Sequence, residues 1–264
     1  MIKKPAILFA AVLLALAGIA CDSGGGKTER ELSDALLTAA EATEDAGTGR
    51  IEITSEVSVG EQDITLEASG EFDFANDTGH MTMSGAGAGL PGVGEMEMIV
   101  DGEYMYVKGP AFEAALEGKE WGRIDLSAAG TTGAGQFNQD PTQYLEWLRV
   151  AGANVEEAGE EDIDGTPTTH YKAEISVDSI VEQAPDEETA QAIRSSFAVF
   201  GDVDALPVEV WVDEDDLPRR MTVSIDGSGE TPVSTHIAMD FVEFGIPVDV
   251  EAPESFTEIA GFGS

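Results

Sequence analysis

Strict alternation of apolar and polar residues is what most limits the folds open to this chain. Arg50-Ile51-Glu52-Ile53-Thr54-Ser55-Glu56-Val57-Ser58-Val59 changes polarity at almost every step, and after Gly60-Glu61 the pattern resumes in Ile64-Thr65-Leu66-Glu67-Ala68. Side chains of a strand point to opposite faces in turn, so period two predicts strands with one dry and one wet face, as in antiparallel sheets. Further strands are predicted at Gly70–Phe74, His80–Ser84, Met96–Val100, Tyr104–Val107, Asn154–Ala158, Thr168–Ile175, Pro207–Val212, Arg219–Ile225 and Val233–Phe244. Asp101-Gly102 and Asp164-Gly165 mark tight turns between them.

Helical spacing interrupts this pattern in few places. Leu32, Leu36, Leu37 and Ala40 recur at three and four residues between Thr28 and Ala46, with Gly47 as a stop. Phe112–Leu116 reads as a shorter helical piece, and Asp140-Pro141 can open a helix that runs through Leu145 and Leu148, the aspartate as cap and the proline in the first turn. Ala128–Gly135 between them is small and flexible in composition. Val177–Phe200 divides into a segment with Ile180 and Val181 and one with Ile193, Phe197 and Phe200. Ten or eleven strands, three or four helices and no strand-helix-strand rhythm predict an α+β fold that is mainly β, and exclude a doubly wound sheet.

The chain carries 13 basic and 52 acidic residues, a net charge of -39. Such a surface repels nucleic acid and anionic headgroups, so phosphate tracking and peripheral membrane binding through basic patches are both excluded. A hydrophobic content of 42%, arranged in alternating runs, argues for a packed core rather than charged disorder.

One cysteine, Cys21, follows Lys3-Lys4 and the apolar run Ala6–Ala20. The run is shorter than the roughly 20 residues a comfortable membrane span needs, and the basic start with small residues before Cys21 has the layout of an export signal. Asp22-Ser23-Gly24-Gly25-Gly26 then has the composition of a flexible tether. The segment resembles a bacterial lipoprotein signal, whose cysteine is acylated and becomes the new N-terminus; Ala20 fits that pattern, and Gly18 stands where leucine is usual. The expected organisation is a signal at 1–20, a tether at 21–28 and one domain at 29–264. An ordinary cleaved signal and an uncleaved anchor helix are the alternatives. With no second cysteine there is no intrachain disulfide.

Several motifs now share an order with a known group. Leu206-Pro207-Val208-Glu209-Val210-Trp211-Val212-Asp213, the acidic turn through Asp216, and Leu217-Pro218-Arg219-Arg220-Met221 resemble a "strand, aspartate, turn, Leu-Pro-Arg-Arg" element of actinobacterial LppX/LprG-type lipoproteins, themselves similar in fold to LolA and LolB. Gly102–Tyr106, Trp121-Gly122-Arg123-Ile124-Asp125, Asp140-Pro141, and Asp164-Gly165-Thr166 leading into His170-Tyr171 add to the resemblance, which covers residues 30–258. It implies a strongly curved antiparallel sheet, an unclosed half-barrel, with helices on its concave face. It implies further a non-catalytic, monomeric lipoprotein, held by its acyl group on the outer face of the cell membrane, that binds and carries a lipid or acylated ligand. The alternative is a structural or sensor lipoprotein with a filled core that contacts another envelope protein.

The expected ligand lining is Ile53, Val57, Leu66, Phe72, Met81, Met83, Met96, Met98, Leu145, Leu148, Ile193 and Phe197, with Cys21 as the lipid attachment site. The four methionines alternate on neighbouring strands, where thioethers can adapt to variable acyl chains or simply fill gaps. Leu90, Pro91 and Val93 are placed to form a lip. The same apolar residues can instead fill a solid core, since periodicity does not distinguish the two.

Other chemistry is not expected. Gly87-Ala88-Gly89-Leu90-Pro91-Gly92 has dinucleotide-type glycine spacing but joins strand to strand. His80, His170 and His236 lie on separate strands without ligand spacing, so neither a zinc site nor a cofactor is expected. No nucleophile elbow accompanies any Ser/His/Asp set. The acidic turns Asp162–Asp164 and Asp213–Asp216 lack EF-hand spacing and read as solvated turns.

Overall fold

A computed structural model describes residues 29–87, 94–126, 155–182, 184, 187–201, 203–228 and 232–259. Helix α1 (Glu29–Ala46) opens it, followed by β1 (Thr48–Val59), β2 (Gln62–Asp73), β3 (Thr78–Gly87), β4 (Met96–Asp101), β5 (Tyr104–Lys108) and β6 (Trp121–Asp125). Beyond these lie β7 (Val155–Ile163), β8 (Thr166–Ser176), α2 (Val177–Glu182), α3 (Glu187–Phe197), β9 (Ala205–Asp213), β10 (Pro218–Asp226), β11 (Val233–Phe244) and β12 (Phe256–Glu258).

The twelve strands of the described residues form one sheet in the order β12-β6-β5-β4-β3-β2-β1-β11-β10-β9-β8-β7. Two antiparallel meanders, β1 to β6 and β7 to β11, are joined where β1 pairs with β11. Among the described residues the edges β7 and β12 do not pair with each other, and the sheet is an unclosed, mainly antiparallel half-barrel with helices, as expected.

The local chemistry explains where elements stop. Gly47 ends α1 in a left-handed conformation (φ 74°), its N–H donating to the Glu44 carbonyl at 3.0 Å, a position where a side chain would be strained. Asp73 accepts the N–H groups of Ala75 and Asn76, both at 3.1 Å, and so holds the β2–β3 turn.

Three details differ from the sequence reading. Ile64–Ala68 and Gly70–Phe74 belong to one strand, β2, because Gly70 sits directly opposite Ile51 and Met81 in unbroken register. Phe112–Leu116 makes only a 3-10 turn at Pro110–Phe112 and one further turn, Leu116 N–H donating to the Phe112 carbonyl at 3.2 Å. Strands β6 and β12 are additional to the expected set, and β12 runs parallel to β6, with Phe256 opposite Trp121. Three residues are too few to show a period. The helix expected from Asp140 to Leu148, the segment Ala128–Gly135, Cys21 with the residues before it, and Leu90, Pro91 and Val93 lie outside the described residues.

One apolar core unites the layers. Leu32, Leu36, Ala39 and Ala40 of α1, which lies against β1, β7 and β10, share one cluster with inward residues of β1 to β11, and Ile180, Val181, Ala190, Phe197 and Phe200 join it. Leu36 is 2% exposed and Met221 of β10 is fully buried at 0%.

Candidate functional site

Cross-strand register sorts the inner face into rows, because residues opposite one another in an antiparallel pair share a face. One row runs Tyr171, Val210, Met221, Met239, Ile53, Ala68, Met83, Met96 across β8, β9, β10, β11, β1, β2, β3 and β4. The row beneath holds Phe241, Ile51, Gly70, Met81, Met98 and Val107. The row above holds Ala173, Val208, Val223, Ile237, Ser55, Leu66 and Gly85, and the next contains Ile225, Thr235, Val57 and Ile64.

Burial changes along these rows. On β8 to β10 every apolar residue named is buried, as are Ile51, Met81, Met98 and Val107 in the lowest row. On β11 and β1 to β4, the upper rows are only half-buried at Ile237, Ile53, Val57, Ile64, Leu66, Met83 and Met96. An incompletely covered apolar stretch thus adjoins the buried rows of β8 to β10 on the same sheet face.

The expected lining residues divide accordingly. Ile53, Val57, Leu66, Phe72, Met81, Met83, Met96 and Met98 all fall on this inner face. Of these, Phe72, Met81 and Met98 are buried core, whereas Ile53, Val57, Leu66, Met83 and Met96 belong to the half-buried stretch. On α3, Phe197 is buried and Ile193 packs half-buried against the core. Leu145 and Leu148 lie outside the described residues. Ile64 and Ile237 were missed, although each sits two residues from another member of its own alternating strand.

Electrostatics divides the two faces. The register turns Arg50, Lys108, Arg123, Lys172 and Arg220 outward, and each meets a carboxylate. Arg50 contacts Glu71 at 2.7 Å and Glu243 at 3.3 Å; Lys108 contacts Glu97 at 2.9 Å, Lys172 contacts Glu209 at 3.2 Å, and Arg220 contacts Asp240 at 2.5 Å. Arg123 pairs with Glu258 and lies 4.3 Å from both the Tyr104 and Phe256 ring centroids. Hydrogen bonding by these carboxylates pulls the pKa of Arg50, Lys108, Arg123 and Arg220 above its ordinary value.

Two of the histidines hold outward hydrogen bonds. His170 stacks on Trp211 at 4.1 Å and shares a 2.6 Å hydrogen bond with Glu209, while Trp211 Nε1 donates to Glu161 at 2.7 Å. His236 bonds Ser224 at 2.9 Å. In the acidic turn Asp213–Asp216, Glu214, Asp215 and Asp216 are exposed as the sequence predicts, but Asp213 is not solvated. Asp213 is 8% exposed, and its carboxylate accepts the N–H groups of Asp215 and Leu217 at 2.9 Å and Arg219 Nε at 2.6 Å. The fully partnered carboxylate holds the "aspartate, turn, Leu-Pro-Arg" element in shape.

No protein-family model matches the chain. It is 30% identical over 161 residues to an uncharacterized 31.2 kDa protein in the rplA-rplJ intergenic region of Streptomyces griseus, an alignment of 57% of this chain and 51% of that protein. The chain thus spans about half the length of that relative. Among solved structures it is similar to LprF from Mycobacterium bovis, at 15% identity over 87% of this chain and 99% of the other, with a TM-score of 0.46. It is also similar to the lipoprotein LppX from Mycobacterium tuberculosis, at 17% identity over 85% and 100%, with a TM-score of 0.46.

Proposed function

We propose that this protein is an acyl-anchored lipoprotein of the cell envelope, outside the cytoplasm, that binds and carries a lipid without a catalytic step. The observation that supports this reading is the half-buried apolar stretch formed by Ile53, Val57, Ile64, Leu66, Met83, Met96 and Ile237, beside the buried rows of β8 to β10 on the same sheet face. Apolar side chains at such a place gain about 25 cal/mol per Å² when something covers them. An acyl chain is the occupant best suited to a surface of branched aliphatics and thioethers, because neither partner loses a hydrogen bond.

The source of the lipid governs the energetics. A chain taken from water would gain about 0.8 kcal/mol per buried methylene, but the tails of a bilayer lipid are already dry. Extraction from a membrane is therefore close to balanced in hydrophobic terms, and encounter decides whether it happens. An acylated Cys21 with the tether 21–28 would keep the acidic domain beside a membrane that its net charge of -39 does not seek.

Two measurements test this. Native mass spectrometry of the full-length protein, after incubation with host lipid extract, is expected to show a bound lipid; protein that stays free of lipid refutes carriage and leaves the envelope-interaction reading. Cys21→Ser is expected to move the protein from the membrane fraction to the medium, and retention in the membrane refutes Cys21 as the sole anchor.

A further inference from the structure

The outward positions of the sheet are not uniform. On β1 to β3 and on β10 they carry Thr54, Glu67, Ser69, Thr82 and Thr222, short or charged side chains suited to a wet face. On β5, β6 and β12 the same face carries rings. Tyr106 lies opposite Ile99 on one side and Arg123 on the other, Arg123 lies opposite Glu258, and Trp121 lies opposite Phe256. Tyr104, two residues before Tyr106 on β5, shares their face.

Charged groups hold these rings in place. The Arg123 guanidinium lies 4.3 Å from the ring centroids of both Tyr104 and Phe256, and Lys108 Nζ lies 4.9 Å from that of Trp121. Phe256 also meets Tyr106 edge-on at 5.5 Å. Each cation is in turn held by carboxylates, Lys108 by Glu97 at 2.9 Å and Glu120 at 3.2 Å, and Arg123 by Glu258. Tyr106 is buried, whereas Tyr104, Trp121 and Phe256 stay half-buried and Glu120 and Glu258 are exposed. Partly open rings thus alternate with polar groups that have already met their counter-charges.

That alternation discriminates between occupants. An anion is opposed by the net charge of -39 and finds Lys108 and Arg123 already paired. A protein surface would take these ion pairs out of water, and buried pairs recover their desolvation cost only when every remaining lone pair and proton is satisfied. A neutral sugar suits both elements of the pattern. Its C–H face can stack on a ring, while its hydroxyls, each donor and acceptor, take the place of water around carboxylate and guanidinium. Tyr104 lies opposite Asp125, four residues along β6 from Trp121. The separation of about 13 Å calls for an oligosaccharide rather than a single sugar.

We propose that the outer face of β5, β6 and β12 binds a neutral polysaccharide chain, with Tyr104, Trp121 and Phe256 as stacking platforms and Glu120, Glu258 and Arg123 as hydroxyl partners. This face is on the opposite side of the sheet from the half-buried stretch, and the inference does not depend on the carrier reading.

The experiment is isothermal titration calorimetry of the full-length protein in a detergent without a sugar headgroup. The probes are cellohexaose, laminarihexaose, mannohexaose and chitohexaose, with hexagalacturonate as the anionic counterpart. At least one neutral hexaose is expected to bind with a dissociation constant of about 1 mM or tighter, and hexagalacturonate is expected to bind more weakly. Trp121→Ala and Tyr104→Ala are each expected to weaken that binding about tenfold. Trp121→Phe, which keeps a ring, is expected to retain most of it, and equal thermal midpoints establish that the variants compared are folded. Failure of all four neutral hexaoses to bind overturns the proposal, as does binding that both alanine variants leave unchanged. Tighter binding of hexagalacturonate overturns the selection for neutral chains. A photo-cross-linking residue in place of Ser255, beside Phe256, that captures protein and no glycan in host cells overturns the proposal in favour of a protein interface. Lipid binding by native mass spectrometry is expected to be the same in Trp121→Ala as in the parent, so the two readings fail separately.

Discussion

The two halves of the inner face use the same alternation and end in different states. On β8 to β10, Tyr171, Ala173, Val208, Val210, Met221 and Val223 are buried within the cluster that includes α1 and the Phe197–Phe200 segment. On β1 to β4, the continuation of the same rows through Ile53, Leu66, Met83 and Met96 remains half-buried. Side-chain chemistry does not account for the difference, since methionines occupy both halves: Met221 in one, Met83 and Met96 in the other. What differs is coverage. A sheet face becomes core where another element lands on it and stays half-buried where covering is incomplete.

Substitutions can break this comparison, and the largest effect belongs to the covered half. Met221→Ala removes a fully buried side chain and is expected to cost about 2–5 kcal/mol in urea unfolding, leaving lipid binding by the folded fraction unchanged. A cost below about 1 kcal/mol would show that this half is not closed. Gly227→Ala comes next. A Cβ there would sit 2.2 Å from the Val233 carbonyl oxygen and 2.8 Å from that of Phe200, so the junction of the β10–β11 hairpin with the Phe200 turn must shift, at about 1–3 kcal/mol by the same measurement.

The half-buried stretch should respond in the opposite sense. Met83→Ala combined with Met96→Ala is expected to cost less than about 2 kcal/mol in total, because both positions keep solvent contact and need not leave closed cavities. Retained lipid, read by native mass spectrometry, is expected to fall severalfold. A large stability loss with no change in lipid would make this stretch ordinary core. The smallest effect is expected on the outer face, where Asp240→Asn removes a partly exposed partner of Arg220 and should cost at most about 1 kcal/mol, less in high salt. Urea midpoints at low and high salt check it.

Much of this architecture is written in local pattern. Within each strand, period two put Ile53 with Val57, Met81 with Met83 and Met96 with Met98 on one side, because the pleat alone decides which side chains of a strand share a face. Helical spacing of Leu32, Leu36 and Ala40 likewise marked the buried stripe of α1, and Gly47 its end. Strand identity was less legible where runs were short. Strand β6 contains Gly122 at an inward position, over which Ile259 and Leu116 pack, and this removes the apolar beat that would have revealed it. Strand β12 owes its existence to its neighbours: Phe256 meets Tyr106 edge-on at 5.5 Å, and Thr257 donates to the Leu116 carbonyl at 2.8 Å.

The sequence by itself determined that this chain forms a largely antiparallel sheet with one apolar face, an acidic exterior and an amphipathic first helix, because each of these depends on neighbours a few residues apart. Only the tertiary structure decided that β1 closes against β11 rather than ending a separate meander, and that Asp213 is a buried tie rather than a wet turn. It also decided that the candidate lining splits into filled core at Phe72, Met81, Met98 and Phe197 and half-covered surface at Ile53, Val57, Leu66, Met83, Met96 and Ile193. The physical reason is range. Pleat and helical pitch are set within a few residues, whereas coverage of a sheet face depends on contacts between segments more than a hundred residues apart, which no local period encodes.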